Sequence, residues 1–396
     1  MKFKSLVLLF LCFSNITQQI FCTLTVSQYA SDSFFQKPYY SEKNFENIFT
    51  NFTTGYAKNA YNTNGDRVPF LQQFGNEDFL QRFVDPTLNP DNITSLGQGQ
   101  LTGDFQYRQF ILSSYKNIMR HLFIEAATSI QDITVSNITA AFIAPEESLT
   151  SDQVTYLNKL NTTIPTSINR SGMFSTAFYV GYDKTLSNFK HLDFLDILIK
   201  GGVASPEWMQ DNNNSIVEFP FNNNLNFGYP VIGAIAVGVL DWLTIGLNAT
   251  VEPFQPAMKQ IKLNNTNSEN NLLLPEESMA IINRGPLLSS SAYIEIDHIA
   301  AGVSITGGYT YTKNLAYNIQ PIDQTNFPAN YANQTSMFNE WSLGSLYFQF
   351  DVDFSTESAP SAPVLAIFCI IPVTGELCPE TNLLSGSCNF QISYAF

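Results

Sequence analysis

Apolar and polar residues alternate at period two along much of this chain. Leu243, Ile245, Leu247, Ala249 and Val251 fall on one side of a predicted strand, opposite Trp242, Thr244, Gly246, Asn248, Thr250 and Glu252. Successive strand side chains point to opposite faces, so this spacing separates an apolar face from a polar one. Leu288, Ser290, Ala292, Ile294 and Ile296 likewise oppose Ser289, Ser291, Tyr293, Glu295 and Asp297. Leu346, Phe348, Phe350, Val352 and Phe354 oppose Ser345, Tyr347, Gln349, Asp351 and Asp353. The runs 174–183 and 301–312 follow the same rule. In all five, one face carries no charge, while the other is small, polar or acidic.

About twelve strands of this kind can be drawn, at roughly 45–61, 101–116, 121–136, 173–184, 192–204, 227–239, 242–253, 287–297, 300–313, 342–355, 362–373 and 388–396. A soluble barrel would be apolar inside and charged outside. Here the uncharged face suits lipid, where a mid-bilayer charge costs roughly 2–4 kcal/mol. Only closure satisfies every backbone group of such strands in a membrane. The expected fold is therefore all-β, a transmembrane antiparallel up-and-down β-barrel. Short connections near 117–120, 185–191, 240–241, 297–299 and 355–361 alternate with long ones near 63–100, 138–171, 206–226, 254–286, 314–340 and 374–387. Short periplasmic turns and long external loops have this rhythm. The best apolar run for a helical span, Val231 to Leu240, is interrupted by Gly233 and Gly238 and is about half the length of a membrane helix.

The two ends extend the picture. Met1-Lys2-Phe3-Lys4 followed by the apolar Leu6–Phe13 reads as an export signal, giving an expected signal peptide at 1–22, a periplasmic segment at 23–44 and a barrel at 45–396. The last residues alternate again, with Phe390, Ile392, Tyr394 and Phe396 on one face. This ending resembles the C-terminal strand of Gram-negative outer-membrane β-barrel proteins, a porin-like superfamily whose members end on Phe with an aromatic two residues earlier. The resemblance implies a place in the bacterial cell outer membrane. It also implies outer-membrane lipid as a partner, and recognition by the barrel-assembly machinery through that strand.

Charge and chemistry narrow the function. A net charge of −15 argues against nucleic acid as a partner. His121, His191 and His298 sit in or beside short turns, without a CxxC or HxxxH spacing to suggest a metal. None begins the His-x-Ser pair of outer-membrane phospholipases, so no nucleophile–base pair points to an enzyme. No cofactor is implied.

Acidic residues gather toward the short-turn end. Asp183, Glu295, Asp297, Asp351 and Asp353 are expected to face the lumen, with Arg108 and Lys200 projecting inward to offset them. A carboxylate ring favours cations. The leading reading is a porin-like channel for small solutes and ions, weakly cation-selective. The alternative is a closed barrel acting as an adhesin or surface antigen through its loops. A hydrophobic-compound transporter and a lipid-active enzyme rank below both. Twelve strands lie between the filled eight-strand barrel and the open sixteen-strand porin. The 63–100 connection is long enough to fold inward, and Phe79, Leu80, Phe83 and Val84 recur there at helical spacing. Cys378 and Cys388 bracket the last external loop as candidates for a disulfide, leaving Cys369 over unless Cys22 pairs with it. A homo-oligomer is left open.

Overall fold

The computed structural model describes residues 45–78, 98–143, 151–187, 189–205, 208–211, 217, 226–264, 271–274, 276–300, 302–354 and 363–393. The expected signal peptide and periplasmic segment, the 79–84 pattern, and Tyr394 and Phe396 lie outside them.

Twelve strands form one closed antiparallel barrel. They are β1 (Phe45–Ala57), β2 (Gln98–Met119), β3 (Leu122–Phe142), β4 (Ser167–Ser187), β5 (Phe194–Ala204), β6 (Val231–Leu240), β7 (Leu243–Glu252), β8 (Leu287–Ala300), β9 (Val303–Asn314), β10 (Trp341–Asp353), β11 (Val364–Glu376) and β12 (Asn382–Ser393). Each pairs with its sequence neighbours, and β1 closes the circle by pairing with both β2 and β12. In the closing seam Phe45 lies opposite Ser393 and Tyr56 opposite Asn382.

Every expected strand is present, with shifted ends. β2, β3 and β4 run 22, 21 and 21 residues, well beyond the lengths expected for them. β12 starts at Asn382 rather than 388, so the last external connection is short. The first strand stops at Ala57, and Asn59–Tyr61 pairs instead with Arg67–Pro69 and Cys378–Pro379 in a small external sheet. A second external sheet joins Ala257–Leu263, Glu276–Asn283 and Asn318–Pro321.

The apolar faces point out. Phe178, Val180, Ile245, Leu247, Ile294, Ile305, Phe348 and Phe350 are exposed, while Ala177, Tyr179, Tyr293, Thr306, Tyr347 and Gln349, one residue out of phase, are buried. This is the arrangement of a barrel whose outer belt meets lipid.

On β2–β4 the pattern reverses above the belt. Phe110 and Leu112 face out low on β2, but higher up Phe105 and Tyr107 face in, and Ile133 and Val135 do so on β3. There the inner face is apolar and the outer face polar, as expected where a wall leaves lipid and stands in water.

Candidate functional site

The barrel interior is the candidate site, and it has two layers. The layer at the short-turn end is polar. Lys200 on β5 reaches across β4 to Glu125 on β3, with Nζ 2.6 Å from Oε2 and both side chains 0% exposed. Tyr179 on β4 lies under the ammonium, its ring centroid 4.7 Å from Nζ. Gly181 makes the crossing feasible, since a Cβ there would come within 2.3 Å of the Phe123 ring and 2.8 Å of Lys200 Cβ. Phe123 stacks on Tyr115 at 4.6 Å, and the Tyr115 hydroxyl donates to Asp183 Oδ2 at 3.1 Å. Asp196 is also buried, in register with Thr185 on β4 and Ala236 on β6.

A second acidic group lies on β8–β10. Ser304 donates to Asp297 Oδ1, and Ser304 stands opposite Asp351, which accepts from Gln349. Glu295 occupies the next row, opposite Thr306, and Asp353 is exposed at the end of β10. Asp183 thus belongs to one cluster, while Glu295, Asp297, Asp351 and Asp353 form another five or so strands around the circle. The acids flank the interior in two groups rather than ringing it.

Two expectations are corrected. Arg108 does not project inward. It shares the outer face of β2 with Phe110 and Leu112 and sits 3.7 Å from Asp132 on β3. It lies above the apolar belt, where the outer face has become polar and a charge meets water. Cys378 and Cys388 do not pair, and both are unbridged thiols, as is Cys369. Cys388 lies six residues along β12 from Asn382, about 20 Å at 3.3 Å per residue, whereas a disulfide needs Cα atoms within roughly 7 Å. Cys378 is buried in the external sheet, its Sγ 3.1 Å from the Ser342 carbonyl, and burial pushes its thiol pKa up. Lys200 does project inward, but Glu125, which the sequence reading passed over, neutralises it.

The outer layer is apolar and is built largely from connections. Phe70, Leu71 and Phe74, on the short helix Phe70–Phe74, share one buried cluster with Leu272, Leu273, Leu274, Met337 and Phe338 from two other loops. The wall contributes Phe105, Val135 and Ile138 on one side, and Tyr293, Tyr347, Phe368 and Ile370 on the other. Phe70 lies 5.1 Å from Phe105, ring to ring. The apolar inner face of β11, including Phe368 and Ile370, is explained by this contact. Inward folding of the 63–100 connection is realised by its first part.

A polar knot caps this layer. Glu77 accepts hydrogen bonds from the backbone amides of Asn271, Leu272 and Leu273 at 2.8–3.2 Å. Asn271 Nδ2 donates to the Asn76 carbonyl, and Asn271 Oδ1 accepts from the Ser336 amide. Ser336 Oγ lies 2.6 Å from the Phe74 carbonyl. No cluster of metal-ligating side chains occurs among the described residues.

No known protein-family model and no curated protein matches this sequence. Solved structures do. An outer-membrane channel from Pseudomonas putida F1 superposes with a TM-score of 0.50 at 9% identity, covering 93% of this chain and 100% of that one. The transport unit of the autotransporter AIDA-I from Escherichia coli gives 0.45 at 9% identity, covering 93% and 96%. The translocator domain of the autotransporter NalP from Neisseria meningitidis gives 0.37 at 7% identity, covering 90% of each. The fold is that of outer-membrane β-barrel proteins, resting on the first of these likenesses and on the twelve-strand closure.

Proposed function

We propose that this chain is an outer-membrane channel for small solutes and ions, closed in this state by its own external loops. The observation that carries the reading is the origin of the seal. Residues 70–74, 271–274 and 336–338 belong to connections outside the twelve-strand wall, so the apolar upper layer is closed by loops and not by wall side chains alone, as in a filled eight-strand barrel. A seal of this kind can leave its seat without unfolding the barrel. The polar layer beneath, with acids on β4–β5 and β8–β10, supports a preference for cations once the seal parts. The apolar belt supports contact with outer-membrane lipid, and β12, as one half of the closing seam, supports engagement by assembly machinery.

The test is conductance of the refolded full chain in a planar bilayer under a KCl gradient. Infrequent steps with a cation-favouring reversal potential are expected. Asp351→Asn/Asp353→Asn should move that potential toward zero, and an unchanged value removes these residues from selectivity. A second reading, a surface-binding protein acting through its loops, draws on the sealed interior and the two small external sheets. Complete silence from folded protein, including variants with a disrupted seal, would favour it.

A further inference from the structure

The channel reading leaves open what holds the seal shut. The answer lies in Glu77, only 1% exposed, far in sequence from the three amides it collects. Consecutive backbone amides aimed at one carboxylate make charge-assisted bonds, among the stronger polar contacts in a protein. Residues 271–274 lie outside any strand, and among the described residues the Glu77 carboxylate is the acceptor that the 271–273 amides reach. The same four residues carry Leu272, Leu273 and Leu274 into the apolar layer. Asn271 then passes the connection to Ser336, beside Met337 and Phe338. The carboxylate and, through it, the Asn271 side chain thus join the segments at 74–77, 271–274 and 336–338, beside the apolar residues each inserts.

We propose that Glu77 is the latch of this plug, and that the channel opens by parting the Glu77 carboxylate from the 271–273 amides. The inference rests on the channel reading. Removing the carboxylate takes from these buried amides the acceptor they reach among the described residues, which biases the closed state toward open. Glu77 lies in register with Gly99 on β2 through its backbone, so that pairing does not run through the carboxylate.

The experiment is planar-bilayer recording of refolded wild type, Glu77→Ala, Ser336→Ala and the seal-disrupting Leu71→Asp/Phe74→Asp, each first confirmed as folded by heat-modifiable gel migration. Glu77→Ala should raise open probability roughly tenfold or more. Ser336→Ala, which removes the outer part of the knot, should raise it less. Should Glu77→Ala fail to fold, the rise with Ser336→Ala carries the test. Variants that conduct like wild type while Leu71→Asp/Phe74→Asp opens the channel would overturn the latch and keep the channel. Silence from every folded form would overturn both.

Discussion

Lys200 Nζ lies 2.6 Å from Glu125 Oε2, with neither side chain reaching solvent. The pair spans β4, joining strands that are not neighbours. Removing one partner of such a pair leaves a buried charge without compensation, at a cost of about 3–5 kcal/mol. Lys200→Met should therefore lower the stability of the refolded barrel by about that amount. Lys200→Met/Glu125→Leu should recover most of the loss, because no charge is left stranded. Urea-induced unfolding of the protein in lipid vesicles measures both, and equal losses would contradict the argument.

Gly181 provides the space for that crossing. Gly181→Ala drives a methyl group into the buried Phe123 ring, and should cost about 1–3 kcal/mol as overpacking does. Gly233→Ala is the control. Nothing lies within 4 Å of its added Cβ, so it should be neutral or slightly stabilising. The same unfolding assay compares them.

Leu247 lies on the outer face, midway along β7, where lipid is thickest. Leu247→Arg should destabilise the barrel by about 2–4 kcal/mol. Ile322→Arg, on an exposed external loop residue, should change stability by no more than about 0.5 kcal/mol. A similar effect at both positions would remove the distinction between belt and loop.

The three described thiols should behave as separate groups. Reductant should leave gel mobility unchanged, and a maleimide should spare Cys378 until the protein unfolds. The raised thiol pKa of Cys378 has a definite sign for stability. The unfolded chain ionises first, so the contribution is full below the ordinary thiol pKa and shrinks as pH climbs from there toward the raised folded value. Cys378→Ser should flatten the alkaline part of the stability profile.

The wall was legible because lipid imposes a simple rule. Phe348, Phe350, Leu247 and Ile294 mark their strands by period alone. The same rule misplaced Arg108. Four residues along β2, at Leu112, an apolar side chain faces out to lipid, whereas beside Arg108 Tyr107 faces in to a plug, so the polarity of the two faces exchanges. A reading that expects the apolar face always outward turns Arg108 inward. Glu125 alternates with Ile124 and Ala126 and shares the inner face with Phe123 and Ala127, and that inward phase was the available signal for a partner of Lys200. Nothing near Glu77 announces amides nearly two hundred residues away, because the contact arises only once three loops have folded over one another.

The unequal heights of the wall bear on what the membrane can influence. β6 and β7, 10 residues each, are about 33 Å long and at a tilt of about 40° rise about 25 Å, enough for the hydrocarbon alone. β2, with 22 residues, rises roughly twice as far. Much of the seat that grips the plug, Phe105, Val135 and Ile138, stands on that taller portion, surrounded by water rather than acyl chains. Bilayer thickness and lateral pressure therefore bear unequally on the two sides of the seat: Tyr293, Tyr347 and Phe368 alternate with the lipid-facing Ile294, Phe348 and Ile367, while Phe105, Val135 and Ile138 stand clear of the acyl chains.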